Sequence, residues 1–329
     1  MTQRLLFILL PMLWLNVSCK RSDEAPEIKA RTIVILSAQG DQPYQSVQAQ
    51  HLLRLIGERP DISLQGHDAG GSAKVQSEQF GKCLESKPFA ILVSPVDAAS
   101  LSEQVAGAVH VGVIVIGLGE KAAAMPCTTV LSCDARELGR QAGEVAVRAL
   151  TRKAQDEGKT DITGRIVEIR GDESPESTAR HEGFTEALKK TPGAVIVHDA
   201  PGGWTKQGGK DRAAEALRLQ QHFDILYAYN DAMAYGATTA LGPQRENVLI
   251  IGTDGYIGVE GGLTLVSQGN IDASIYQPIL VDLAWKLILR RLQEPNFAPK
   301  PSYRLTPVTI TPKNVEDLRR GGLSKLPEL

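Results

Sequence analysis

The sequence predicts an α/β protein built as two doubly wound parallel-sheet lobes. Three observations lead there. Near-continuous apolar runs alternate with amphipathic stretches from residue 31 onward. The alternation halts at a long helix and restarts at residue 165. A late strand and helix then follow the second series, placed to return the chain to the first lobe.

In the first series, Thr32-Ile33-Val34-Ile35-Leu36 reads as a parallel strand buried on both faces. A helix follows over 45–57, a short strand over 62–64, and a helix over 72–85 with Ser72 as its N-cap. Strands at 89–93 and 111–116 flank a helix near 98–109. A long helix over 134–153 and a polar linker over 155–163 separate the two series. The second series has strands at 165–169, 194–198, 225–229 and 248–251, with helices near 174–190, 206–220 and 231–241. The late strand is 273–276 and the late helix 278–292. The resulting ranges are 31–133 plus 278–306 for the first lobe and 134–277 plus 307–329 for the second.

Met1 to Arg4 is short and basic, 5–15 is apolar apart from Pro11, and Asn16-Val17-Ser18-Cys19 precedes a polar run. This is the layout of a secretory signal over 1–18, too short to span a bilayer. Cys19 after a small residue resembles a lipobox, with Asn16 standing where an aliphatic residue is usual. The expectation is an exported protein, periplasmic or at the cell surface, anchored through lipid on Cys19 and tethered by 19–30. Export would permit a disulfide between Cys127 and Cys133, or leave each a buried thiol.

Of the 329 residues, 42% are hydrophobic and 22% charged, with net charge −2. Such a balance suits a soluble globular protein and gives no electrostatic footprint for nucleic acid. Gly117-Leu118-Gly119-Glu120-Lys121-Ala122 fits a dinucleotide fingerprint, but follows a late strand and runs only to Pro126, too short for the helix required. There is no G-x-S-x-G elbow, no H-E-x-x-H and no metal-ligand spacing. The chain is therefore expected to be no enzyme and to need neither cofactor nor metal. His181 is expected on a helix surface.

In open α/β sheets, ligands bind beyond the carboxyl ends of the strands. That rule selects the loops at 37–44, 94–97, 117–120, 230–231 and 253–256, which two facing lobes would bring to one cleft.

Six blocks in this order resemble the type I periplasmic binding proteins, sugar-binding branch, nearest the ribose-binding proteins of ABC transporters. They are Asp41-Gln42-Pro43-Tyr44, Val93-Ser94-Pro95-Val96-Asp97, the segment 178–184 around Arg180, Tyr229-Asn230-Asp231-Ala232-Met233-Ala234, Ile251-Gly252-Thr253-Asp254-Gly255, and Ile275-Tyr276-Gln277. The resemblance spans about 32–311. It implies a ligand set of Gln42, Tyr44, Arg180, Trp204, Asn230, Asp254 and Gln277, with Tyr44 and Trp204 on opposite lobes packing against sugar C–H faces. Arg180 would supply a rigid fork of donors, and Asp254 would accept two hydroxyl protons. Asn230 is expected to reach ligand while Asp231 serves the helix.

The same resemblance implies a hinge of three crossings, near 132–134, 276–278 and 304–307. It implies a monomer that delivers a sugar or polyol to ABC permease membrane subunits. A sensor or chemoreceptor component, or a binder of another small molecule, would show the same cleft. A repressor of the same fold would carry an N-terminal helix-turn-helix where this chain has a signal. Relatives often place Asp-Arg or Asp-Ser where this chain has Gly117-Leu118-Gly119, which removes a charge and makes ribose itself doubtful.

Overall fold

The computed structural model describes residues 30–57 and 59–323. The signal segment 1–18, Cys19 and all but the last residue of the tether lie outside the described residues.

The first series comprises β1 (Arg31–Ser37), α1 (Pro43–Ile56), β2 (Ile62–Asp68), α2 (Ala73–Glu85), β3 (Ala90–Val93), α3 (Ala98–His110), β4 (Ile114–Leu118) and β5 (Thr129–Cys133). Then come α4 (Ala135–Asp156), β6 (Thr163–Arg170), α5 (Pro175–Leu188), β7 (Gly193–Pro201), α6 (Lys206–Gln220) and β8 (Ile225–Ala228). They are followed by α7 (Asp231–Leu241), β9 (Leu249–Asp254), α8 (Gly262–Ser267) and β10 (Ala273–Tyr276). The chain ends with α9 (Leu280–Gln293), β11 (Ser302–Leu305), β12 (Val308–Ile310) and α10 (Val315–Gly321).

Two six-stranded sheets result, ordered β11-β5-β4-β3-β1-β2 and β12-β10-β9-β8-β6-β7. Their strand orders correspond position for position, and both are doubly wound. Every pairing is parallel except β10 with β12. In β1, period-two alternation sends Ile33 and Ile35 to one core and Val34 and Leu36 to the other. The apolar face of α9, including Leu283, Ala284 and Leu287, packs into the core that holds Ile33 and Ile35. The second sheet shares one core with Leu138, Ala142, Phe184 and Tyr227. The chain therefore passes between the sheets after β5, after β10 and between β11 and β12.

Helix starts follow local chemistry. Ser72 accepts from the Val75 amide at 3.3 Å and Asp97 from Ser100 at 2.8 Å. The α4–α5 pair approaches backbone to backbone: a Cβ on Gly139 would stand 1.9 Å from the Arg180 carbonyl oxygen, and one on Gly183 1.9 Å from that of Arg136. Only glycine fits there, and this crossing seats the turn that carries Arg180.

The sequence reading missed β5, β11, β12, α8 and α10. All are short, and β11 and β12 become strands through partners about 170 and 34 residues distant in the chain. The fourth strand runs on to Leu118, so Gly117 and Leu118 are strand residues, not loop. Gly117 is there for packing, since a Cβ would lie 2.6 Å from Cβ of Ala122 in the turn above it. Cys83, Cys127 and Cys133 are free thiols, so the pairing of Cys127 with Cys133 is not formed. Burial pushes the Cys127 thiol up to about 11 and that of Cys133 to about 12.

Candidate functional site

A cavity of about 390 Å³ lies between the two sheets, bordered by Gln42, Tyr44, Arg180, Trp204, Asn230, Asp254 and Gln277 together. The loops that supply them leave the carboxyl ends of β1, β6, β7, β8, β9 and β10, so the parallel winding itself aims them inward.

The second-lobe wall is densely bonded. Arg180, 2% exposed, donates through Nη2 to Glu176 at 2.7 Å and to Gln277 Oε1 at 2.8 Å, and through Nη1 to the Tyr229 carbonyl. Its Nε is buried without a partner. The guanidinium lies 5.3 Å from the centre of the Trp204 ring. Trp204 itself has φ +62°, a left-handed conformation unfavourable for a bulky residue. Asn230 Nδ2 donates to the Trp204 carbonyl at 2.8 Å and holds that turn. Gly171 makes room for the ring, since a Cβ there would fall 2.1 Å from its atoms.

Asn230, not Asp231, caps the helix that follows. Asn230 Oδ1 accepts from the Met233 amide at 2.8 Å and caps α7. Asp231, fully buried, accepts from the Gly255 amide at 2.6 Å, the Gly262 amide at 2.8 Å and the Ser274 hydroxyl at 2.7 Å. It therefore fastens the loop after β9 and the start of α8 to β10. Asn230 still borders the cavity.

Asp254 ends β9 with φ +108° and is 3% exposed. Its backbone carbonyl accepts from the Gln277 amide at 3.0 Å. Among the described residues no donor is bonded to its carboxylate. Burial raises its pKa well above the ordinary carboxylate range, with the Asp231 charge adding to this and Arg180 opposing it. Burial raises Asp231 as well. The three donors on Asp231 favour the charge there, and no such donor does the same for Asp254.

The first-lobe wall is looser. The Gln42 side chain makes only long contacts, 3.4 Å to Gln39 and 3.3 Å to Gln45. Tyr44 donates from its hydroxyl to the Pro278 carbonyl at 2.5 Å, tying α1 to the segment that leaves β10. Its phenol is raised well above the ordinary value, chiefly by burial.

The sequence reading missed four charged residues at the cavity: Glu120, Lys121, Asp172 and Glu176. Charge is therefore present beside the Gly117-Leu118-Gly119 segment, a few residues later than expected. Burial leads the rise of the Glu120 carboxyl, against one hydrogen bond from the Ala135 amide. Burial also works to raise Asp172, but hydrogen bonds from Ser174, Trp204 and Ser177 outweigh it and hold the pKa low. The spacing of Glu176 and Arg180, four apart on one helix, was the signal available in the sequence.

His181 is not simply on a helix surface. Its Nδ1 shares a 2.8 Å hydrogen bond with Glu168, a fully buried carboxylate that also accepts from the Tyr229 hydroxyl at 2.7 Å. Glu168, His181 and Asp199 bring ligand-type atoms within 4.8 Å of one another. Arg170 donates to Asp199 at 2.5 Å, so this carboxylate already has a cation of its own.

The geometry agrees with the comparisons. The periplasmic binding protein domain matches residues 32–285. The D-allose-binding periplasmic protein of Escherichia coli is 28% identical over 143 residues, which is 43% of this chain and 39% of that protein. The ribose import binding protein of Bacillus subtilis is 26% identical over 213 residues, 64% of each chain. The matched region thus spans less than two thirds of either relative's length. Among solved structures, a solute-binding protein of Actinobacillus succinogenes with bound D-allose superposes with TM-score 0.74 at 20% identity, covering 87% of this chain and 99% of that one. The Caulobacter myo-inositol binding protein superposes with TM-score 0.73 at 20% identity, covering 91% of this chain and 98% of the other. These likenesses agree with the two doubly wound sheets. The chain belongs to the periplasmic binding protein domain family.

Proposed function

We propose that this protein captures a sugar or polyol in the cleft between its lobes and delivers it to an ABC permease. One observation carries the reading: Asp254 is a buried carboxylate with no bonded donor among the described residues, at a cavity that also offers Arg180, Asn230 and an aromatic ring. A diol satisfies such a carboxylate with two hydroxyl protons, and its C–H face suits Trp204 and Tyr44. Relatives named for D-allose and ribose support the same ligand class.

The lobes of this reading are 31–133 plus 278–306 and 134–277 plus 307–329, closing by hinge motion at the three crossings. The mature chain begins at a lipid-modified Cys19 outside the cytoplasm. Mass spectrometry of the native protein checks the anchor: an unmodified N-terminus at any other residue overturns it.

Ligand class is tested by intrinsic fluorescence and calorimetry on a panel of sugars, polyols, amino acids and nucleosides. Once the signal is removed, Trp204 and Trp285 remain. Trp285 is buried in the first core, so Trp204 reports the cleft. A response to sugars or polyols is expected, and its loss in Trp204→Phe. A response to amino acids with none to any sugar or polyol overturns the reading.

A further inference from the structure

The cavity wall carries more negative charge than its cations balance. Glu120, Asp172, Glu176 and Asp254 face Lys121 and Arg180. Lys121 is exposed at the rim. Arg180 is the only buried cation of the wall, and its charge is already matched by Glu176 at 2.7 Å. Its remaining donors are held by the Tyr229 carbonyl and Gln277, apart from Nε. Asp254 is thus a second buried acidic group, with no donor bonded to its carboxyl group among the described residues; Arg180 alone favours its charge, and Asp231 and Glu176 both oppose it. Asp172 adds a further carboxylate to the same wall.

A neutral polyol closing over this wall would bury the Asp254 charge uncompensated, or leave it protonated and a weaker acceptor. A ligand with its own positive charge removes both penalties, and three N–H donors on one nitrogen suit a carboxylate that has none. Resting on the polyol reading above, we infer that the ligand carries an ammonium group: an amino sugar or amino cyclitol, with its nitrogen at Asp254 in the field of Glu176.

The test is calorimetry at pH 7 on matched sets: D-glucose, D-glucosamine and N-acetyl-D-glucosamine; the same three forms of D-galactose; and myo-inositol with an inosamine. The amine is expected to bind at least tenfold tighter than its hydroxyl parent in at least one set, and to weaken as salt is raised. The N-acetyl form, neutral at nitrogen, is expected to lose that advantage. Glu176→Gln frees the Arg180 charge for Asp254, so the ratio of amine to parent affinity should fall at least threefold. If a parent sugar or cyclitol binds and no amine exceeds it, the inference is overturned while the polyol reading stands. If putrescine or L-lysine binds and no member of any set does, the polyol reading falls and the inference with it.

Discussion

The two walls of the cleft are built differently. On the second lobe, Arg180, Asn230, Asp231 and Gln277 are tied to one another and to backbone by short hydrogen bonds, and most are buried. On the first lobe, Tyr44, Gln45 and Gln48 are bonded to backbone, but the Gln42 side chain rests on long contacts, and Glu120 and Lys121 are exposed. A preorganised wall lowers the cost of fixing a ligand, and a loose wall adapts to what the first has fixed. The second wall should therefore hold most of the affinity. The first should contribute closure and the choice between similar ligands.

The largest expected effect strikes the frame of the bonded wall. Asp231→Ala leaves three buried donors without an acceptor, and should cost roughly 3–5 kcal/mol of stability. Urea unfolding measures it. A loss near zero would mean that the second wall is not held by Asp231.

Next comes binding. Asp254→Asn keeps a residue that tolerates the left-handed backbone, yet should weaken ligand binding by roughly 2 kcal/mol or more. Gln42→Ala should weaken it by less than about 1 kcal/mol. Calorimetry on both variants with one ligand sharpens the comparison, and equal losses would erase it.

A smaller effect tests the aromatic part of the wall. Gly171→Ala places a methyl 2.1 Å from the Trp204 ring and must move it. Affinity should fall about tenfold, roughly 1.4 kcal/mol, while the far-ultraviolet circular dichroism stays unchanged. An unaltered Trp204 emission spectrum would show that the ring had not shifted.

The smallest effect lies behind the wall. The hydrogen bond that His181 donates to Glu168 leads the rise of its pKa, with burial and Arg170 opposing and Asp199 assisting. A raised histidine pKa stabilises the fold fully below the unfolded value of about 6.5. That contribution disappears as pH rises through the folded value. His181 is 38% exposed, so water screens the pair and holds the contribution below about 1 kcal/mol. The melting-temperature gap between the parent and His181→Gln should be widest near pH 5–6 and close by pH 9. A gap that widens with pH would reverse the sign.

Much of this was legible in the residues alone. The run 32–36, the cap Ser72, and the bounds of α6 and α7 are local: a strand's apolar period or a helix's capping side chain is written within a few positions. The strand-end rule then brought Gln42, Tyr44, Asn230 and Asp254 to one place, because parallel winding fixes which strand ends face together. What only the tertiary structure decided is how charge is shared there. Asn230 and Asp231 are neighbours, equally able to cap a helix. Which one does so depends on Gly255, Gly262 and Ser274, contributed by β9, α8 and β10. Arg180 could be predicted to reach the cleft. That Arg180 spends its bonded donors on Glu176 and Gln277, and none on Asp254, depends on burial and on Gln277, 97 residues away. Electrostatic balance is set by distance and solvent access through space, and neither is a property of local sequence.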